Sequence, residues 1–286
     1  VAYTVTSEDR QWTRTYNVKF NIVTRTFTDS LRYDFNDYAL NKASQQYYEW
    51  TETTEDGTKT LNFWSTGNGG FAICRGSYAP DQYPTIPLPG EGVDGGIAMK
   101  LTTSDTGPLG AIKNMRIAAG NLFIGKFDPQ TALDPSKTME ATMFGRPTDV
   151  KPLTLCGYYK YKPGAKFQNV KGKEVKGRID KGSIYAVMYL NHDADGKDIV
   201  LHGDNVLTSD MIVGKAVLEN VETTDEWIKF DVPFVFSEEI NEDLLANRGY
   251  SLAVVFSSSE DGAKFEGAVG STLLISKVRV ACAKTE

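Results

Sequence analysis

Residues 227–236 read WIKFDVPFVF, and this stretch decides the fold class of the chain. Apolar side chains fall at every second position, which is the period of a β-strand with one face in a hydrophobic core. Five residues form that face: Ile228, Phe230, Val232, Phe234 and Phe236. Trp227 falls on the opposite face with Lys229 and Asp231. The pattern predicts a half-buried strand.

Segments of strand character recur along most of the chain. The other candidates are residues 61–66, 97–103, 117–127, 153–162, 183–190, 211–221, 250–256 and 272–282. Asp-Gly dipeptides, which commonly join antiparallel strands, occur at residues 56–57, 195–196 and 261–262. Helical periodicity is confined to a short segment at residues 239–247. Many short strands without intervening helices predict an all-β sandwich or barrel rather than a parallel α/β sheet.

The N-terminal residues predict a separate β-hairpin. Apolar residues alternate with polar ones on both sides of a turn at residues 7–10. Because two strands alone do not form a stable domain, the pair is either the end of a preceding domain or an added edge of the main one. It resembles the closing hairpin of an immunoglobulin-like domain. We therefore predict two parts, residues 1–27 and residues 28–286, with a boundary near Thr26. A segment rich in Gly and Pro at residues 65–96 predicts a long functional loop.

Charge and cysteine usage exclude several classes of partner. The net charge is −6 and no stretch is basic, so we expect neither nucleic-acid binding nor direct contact with an anionic membrane. The cysteines are odd in number and lack metal-ligand spacing; they are Cys74, Cys156 and Cys282. Their number and spacing favour a role as small buried side chains over a disulfide framework. The chain begins at Val1 rather than Met, and we expect that a targeting segment preceded it and was removed.

Motifs for catalysis or metal binding are few. Residues 90–95, GEGVDG, match a dinucleotide-binding pattern, but a strand follows them where a helix is required. His192 and His202 stand at the ends of one predicted hairpin, which does not assemble a zinc site. Residues 191–196, NHDADG, match half of a calcium loop, but His202 replaces the closing Glu; we predict a turn, with a weak calcium site as the alternative. We expect no catalytic residue, no metal and no cofactor, although a carboxylate pair for glycoside hydrolysis is not excluded.

Aromatic residues on the polar faces of three strands give the main indication of a binding site. Within residues 61–66 and 153–162 the strand period places Trp64 and Tyr158 opposite the core, as it does Trp227. Sugar rings stack on aromatic side chains while neighbouring polar groups bind the hydroxyls. The alternative is that the segment at residues 65–96 covers these rings as ordinary structure. We predict a carbohydrate-binding surface of five residues: Trp64, Asn68, Tyr158, Lys160 and Trp227.

Seven short motifs, taken in order, resemble the putative carbohydrate metabolism domain family of exported proteins from Gram-negative gut bacteria. They are FWSTGNGG at 63–70, YPT at 83–85, AGNLFIGKF at 119–127, FGRP at 144–147, GYYKY at 157–161, SSS at 257–259 and GSTL at 270–273. The resemblance implies an antiparallel jelly-roll sandwich, similar to galactose-binding-like modules, in a lipid-anchored protein of the outer membrane or cell surface. Related folds hold a structural calcium with an acid after the last motif. Here Ser276 and Lys277 stand there, so we expect no such ion.

The residues and the resemblance together predict a non-catalytic module that binds a glycan or polysaccharide. Two alternatives stay open. One is a structural or adhesive module of a surface protein, such as a stalk or pilus-like component. The other is a glycoside hydrolase.

Overall fold

The computed structural model describes residues 2–17, 30–53, 57–134 and 136–283. The predicted boundary near Thr26, residues 18–22 of the predicted hairpin and Asp56 of the first Asp-Gly turn lie outside these residues.

Strands dominate the described residues. In chain order they are β1 (Ala2–Thr6), β2 (Thr13–Asn17), β3 (Ser30–Tyr33), β4 (Tyr38–Leu40), β5 (Tyr48–Thr53), β6 (Lys59–Leu61), β7 (Trp64–Ser65), β8 (Thr85–Pro89), β9 (Ile97–Thr102), β10 (Ser104–Asp105), β11 (Ile117–Ala118), β12 (Asn121–Phe127), β13 (Thr142–Phe144), β14 (Arg146–Thr148), β15 (Pro152–Lys162), β16 (Phe167–Gln168), β17 (Ser183–Leu190), β18 (Ile212–Val217), β19 (Thr224–Pro233), β20 (Val235–Phe236), β21 (Tyr250–Ser257), β22 (Gly267–Ala268) and β23 (Thr272–Cys282). The α-helices are α1 (Asn68–Arg75), α2 (Gly107–Ile112) and α3 (Glu242–Ala246).

Two antiparallel sheets form the sandwich. The first sheet has the order β13-β12-β21-β17-β18-β20, with β7 also paired to β12 and β14 to β21. The second sheet has the order β19-β15-β23-β9-β8, with β3 paired to β23. Neighbouring strands are mostly distant in sequence, as in jelly rolls. The predicted all-β antiparallel jelly-roll sandwich is confirmed.

The core lies between the inward faces of these sheets. Ile184 pairs with Phe256 in the first sheet, and Tyr159 pairs with Ile228 in the second. The side chains of all four belong to one hydrophobic cluster or pack against it. Phe230 of β19 is also buried there, so the alternation in residues 227–236 identified a true core face. The helix predicted at residues 239–247 is present as the shorter helix α3.

The N-terminal hairpin is present as β1 and β2. They pair with each other in register from Ala2 opposite Asn17 to Thr6 opposite Thr13. Its large apolar side chains are exposed, with Trp12 77% and Val5 58% accessible to solvent.

The segment at residues 65–96 is more regular than the predicted loop. It contains α1 and β8, so that prediction was wrong for much of its length. Phe71 of α1 packs on Tyr83 with ring centroids 5.6 Å apart, and this burial supports a helix that glycines alone would disfavour. Strand β8 accommodates Pro87 and Pro89 because it lies at the edge of its sheet, where the missing N–H groups are not needed by a further strand.

None of the three cysteines forms a disulfide within the described residues. No helix there combines the length and apolar character that crossing a bilayer requires.

Candidate functional site

Three of the five predicted site residues lie together on the outer face of the second sheet. Tyr158 and Lys160 project from β15 and Trp227 from the neighbouring β19. The Lys160 ammonium lies 5.1 Å from the centre of the Trp227 ring, in a cation–π contact. All three side chains are half-buried. The structure therefore brings these three residues together. The Lys160 ammonium covers part of one face of the Trp227 ring.

Trp64 does not belong to that surface, which corrects the prediction. Its side chain is 1% exposed and packs in the core against Tyr33 and Phe256, at ring distances of 5.1 and 6.1 Å. The prediction treated residues 61–66 as one strand. Instead, Asn62 adopts a left-handed conformation with φ of 56° and separates β6 from β7, so the alternation of faces does not continue to Trp64.

Asn68 is also corrected, because it is completely buried at the start of α1. Its side-chain amide donates to the carbonyl of Thr85 at 2.7 Å, and its side-chain oxygen accepts from the Thr85 N–H at 3.1 Å. These two bonds fix α1 to β8, and because the side chain is completely buried it is not available to a ligand.

A polar concavity lies beside the edge of the first sheet, and we call it the edge pocket. It has a volume of about 350 Å³. It is lined by Tyr47, Tyr48, Glu49, Trp50, Leu61, Asn62, Trp64, Ser65, Thr66, Gly69, Lys126, Phe127, Pro129 and Arg146. Three of the seven motifs contribute to it, namely those at residues 63–70, 119–127 and 144–147.

Asn62 organises the polar wall of the edge pocket. Its amide donates to the carboxylate of Glu49 at 3.3 Å, and its backbone carbonyl accepts from Arg146 Nη2 at 2.6 Å. Asparagine tolerates the left-handed backbone that this position needs. Asn62 therefore holds both the carboxylate of Glu49 and the guanidinium of Arg146 in place.

Aromatic residues form the rest of the wall. Tyr47 and Tyr48 are half-buried, and Tyr48 packs edge-on against Tyr38 with ring centroids 5.7 Å apart. The indole N–H groups of Trp50 and Trp64 are buried and donate to no acceptor among the described residues. The Trp64 indole N–H lies near the carboxyl group of Glu52 but outside hydrogen-bond geometry. Its proximity partly opposes the rise in the pKa of Glu52.

Glu52 is the most perturbed carboxyl group near this region. Burial, and after it the charges of Asp34 and Asp37, raise its pKa to about 7. A carboxyl group in this state holds a proton near neutral pH and is chemically suited to act as a general acid.

A second concavity, of about 290 Å³, lies over the outer face of the first sheet. We call it the apolar cavity, since its lining is mostly hydrophobic and includes Phe123, Phe144, Tyr185 and Val255. Polar residues such as Asn121, Ser183 and Glu260 also line it, but most of its exposed surface is apolar, so it suits hydrophobic contact more than the edge pocket does.

The residues considered as metal ligands from the sequence form hydrogen bonds or ion pairs with neighbouring groups of the protein. His192 Nε2 lies 3.0 Å from Asp198, and His202 Nδ1 lies 2.9 Å from the carbonyl of Thr142. Asp193 accepts backbone N–H bonds from Asp195 and Lys197, as expected for a turn. No three His, Cys, Asp or Glu side chains of the described residues are grouped to hold a metal.

The sequence position expected for a calcium-binding acid is filled by other bonds. Ser276 Oγ donates to the carbonyl of Ile97 at 3.0 Å and accepts from the N–H of Val93 at 3.2 Å. Lys277 forms an ion pair with Asp94.

Sequence reasoning missed Tyr47, Glu49, Lys126 and Arg146 as site residues. Lys126 and Arg146 stand in quoted motifs, which was a usable indication, but nothing local shows that β5, β12 and β14 meet at one pocket. That meeting depends on tertiary contacts between segments up to about 100 residues apart.

Comparisons with known proteins identify the family of the chain. The profile of the putative carbohydrate metabolism domain matches residues 34–281. A crystal structure from Bacteroides thetaiotaomicron, described as a putative glycoside hydrolase, is 36% identical with a TM-score of 0.79, and the match covers 100% of this chain and 79% of that one. A second putative glycoside hydrolase, from Bacteroides vulgatus, is also 36% identical with a TM-score of 0.79, over 88% of this chain and 98% of that one. No curated protein matches significantly. The chain is thus a carbohydrate-related domain and belongs to the putative carbohydrate metabolism domain family.

Proposed function

We propose that this domain binds glycans without catalysis, and that the edge pocket is the binding site. One observation carries the proposal. The pocket combines half-buried aromatic side chains with a carboxylate, a guanidinium and an ammonium group in a concavity of about 350 Å³. That combination suits a sugar, whose C–H faces pack on aromatic rings while its hydroxyls both donate and accept hydrogen bonds.

Each side of the pocket has a distinct part in this proposal. Tyr47 and Tyr48 supply apolar contact. Glu49 accepts hydrogen bonds from hydroxyl groups, in a position fixed by the amide of Asn62. Arg146 and Lys126 donate to hydroxyl or ring oxygens.

The test is a glycan array followed by calorimetry on the best ligand. Glu49→Gln keeps the shape of the side chain but removes the charged acceptor, and we expect it to weaken binding about tenfold or more. Trp227→Ala is the matched control, since it removes an aromatic ring from the outer face of the second sheet. Loss of binding in the control with no loss in Glu49→Gln would move the site to that outer face. Absence of binding to any glycan would favour the structural or adhesive alternative.

Glycoside hydrolysis is the second candidate, and one observation favours it. Burial and the charges of Asp34 and Asp37 raise the pKa of Glu52 to about 7, and a carboxyl group that keeps its proton near neutral pH suits the general-acid role in a glycosidase. Both similar crystal structures are described as putative glycoside hydrolases. Release of reducing ends from a bound oligosaccharide, abolished in Glu52→Gln, would establish catalysis. Binding with unchanged ligand after long incubation would exclude it for that ligand.

A further inference from the structure

The charged residues that line the edge pocket carry a net positive charge, whereas the chain as a whole is negative. They are Lys126, Arg146 and Glu49, two cations and one anion, whereas the whole chain has a net charge of −6. The positive excess is therefore local to this concavity.

The guanidinium of Arg146 is half-buried and held only by neutral groups. Its Nε donates to the carbonyl of Phe63 at 3.3 Å, and its Nη2 donates to the carbonyls of Asn62 and Gly125 at 2.6 and 3.2 Å. The guanidinium carbon also lies 5.2 Å from the centre of the Phe63 ring. These contacts fix its position and leave Nη1 without a hydrogen bond to the described residues.

No carboxylate of the described residues forms an ion pair with Arg146. Burial lowers the pKa of Arg146, which reflects the cost of keeping this charge away from water. A charge that is partly buried without a counter-ion is costly, and binding an anion relieves that cost.

Lys126 adds a second unneutralised cation. It follows Gly125 on β12, and the carbonyl of Gly125 accepts from Arg146. Its side chain is exposed and makes no ion pair with the described residues. Glu49 forms no ion pair with either cation among the described residues, and its carboxylate instead accepts from the amides of Asn41 and Asn62 at 3.4 and 3.3 Å.

We infer that the edge pocket binds an acidic sugar, whose carboxylate or sulfate group pairs with Arg146 and Lys126. This inference rests on the proposed function and names the substrate class for it. The N–H groups of Nη1 belong to a charged guanidinium, and they donate more strongly to an oxyanion than to a lone hydroxyl, because a hydrogen bond between two ionised groups is the stronger kind. Glu49 and the tyrosines then contact the neutral part of the same sugar ring.

The experiment compares matched charged and neutral ligands on the whole chain. Oligogalacturonates are measured against their methyl esters, and sulfated galactan oligosaccharides against the desulfated forms, by calorimetry. The charged member of at least one pair should bind about tenfold or more tightly, and its affinity should fall as salt is raised. Whichever pair shows the preference identifies the anion.

Two variants locate the effect. Lys126→Gln is exposed and should fold normally, and we expect it to lose most of the preference for the charged ligand. Lys162→Gln removes one exposed positive charge from the second sheet and should behave as the wild type. Arg146→Gln should lose more, but it also removes bonds to three carbonyls, so Lys126→Gln is the deciding variant. Equal affinity for charged and neutral ligands would overturn the inference while leaving glycan binding intact. Binding of neither kind, with no ligand found on the array, would overturn both.

Discussion

At the residue scale, two tryptophans that look alike in sequence have opposite surroundings. Trp64 is 1% exposed within a cluster of aromatic rings, whereas Trp227 is half-buried at the surface beneath Lys160. We expect Trp64→Ala to lower the free energy of unfolding by about 3–5 kcal/mol through the cavity it leaves. Trp227→Ala should cost about 1 kcal/mol or less. Urea denaturation of both variants measures this, and similar losses would contradict the assignment of Trp64 to the core.

The carboxyl group of Glu52 should make stability depend on pH. Burial first, and then Asp34 and Asp37, raise its pKa from 4.5 to about 7 in the folded protein. Between these values the folded state keeps a proton that the unfolded state has released, so the free energy of unfolding falls as pH rises. Glu52→Gln does not titrate and escapes this loss.

We therefore expect Glu52→Gln to gain stability relative to the wild type between about pH 4.5 and pH 8. The gain should be about 1–2 kcal/mol, after allowance for solvent screening of a partly exposed group. Urea denaturation at both pH values measures the difference. If the difference in stability between Glu52→Gln and the wild type is the same at both pH values, the pKa of Glu52 is not raised in the folded state.

At the scale of single elements, the strand period predicted the faces of long strands well and those of short ones poorly. From Ile228 to Pro233, β19 pairs with β15 in unbroken register, so alternation in sequence equals alternation in space. Residues 61–66 failed because Asn62 turns the chain at a positive φ, and asparagine in a polar stretch gives no clear warning of this. The helix α1 was missed because its stability comes from Phe71 and Asn68 contacts made across the fold.

A second element-scale feature is the break between β11 and β12 at Gly120. A Cβ there would lie 2.2 Å from the Thr102 nitrogen and 2.5 Å from the Pro84 carbonyl oxygen. Both atoms belong to backbone, which cannot move aside without disturbing the second sheet. We expect Gly120→Ala to cost about 3 kcal/mol or more. Gly90→Ala is the control, with φ of 82° and no atom within 4 Å of its Cβ, and should cost about 1 kcal/mol. Thermal melts compare the two, and equal losses would contradict the close packing at Gly120.

At the scale of the whole molecule, the fold class followed from the sequence but the site did not. Strand character recurs in every part of the chain, whereas the edge pocket exists only where β5, β12 and β14 converge. Tyr158, Lys160 and Trp227 lie on one sheet face because β15 and β19 are paired. Glu49 and Arg146 are joined only through Asn62, and no local pattern encodes that link.

The division into two parts is the remaining whole-molecule prediction. Strands β1 and β2 pair only with each other among the described residues, and Trp12, Val5 and Tyr3 on this hairpin are exposed. The matched family profile begins at residue 34, beyond the hairpin. Residues 28–286 should therefore fold alone, because β1 and β2 pair with no other described strand and their large apolar side chains are already exposed. We expect the melting temperature of the shortened chain to stay within about 3 °C of the full chain, which corresponds to about 1 kcal/mol for a domain of this size. Its affinity for any glycan that binds the edge pocket should be unchanged, because none of the described hairpin residues 2–17 lines that pocket. A drop in melting temperature well beyond this, or aggregation of the shortened chain, would show that residues 1–27 are part of the sandwich rather than a separate unit.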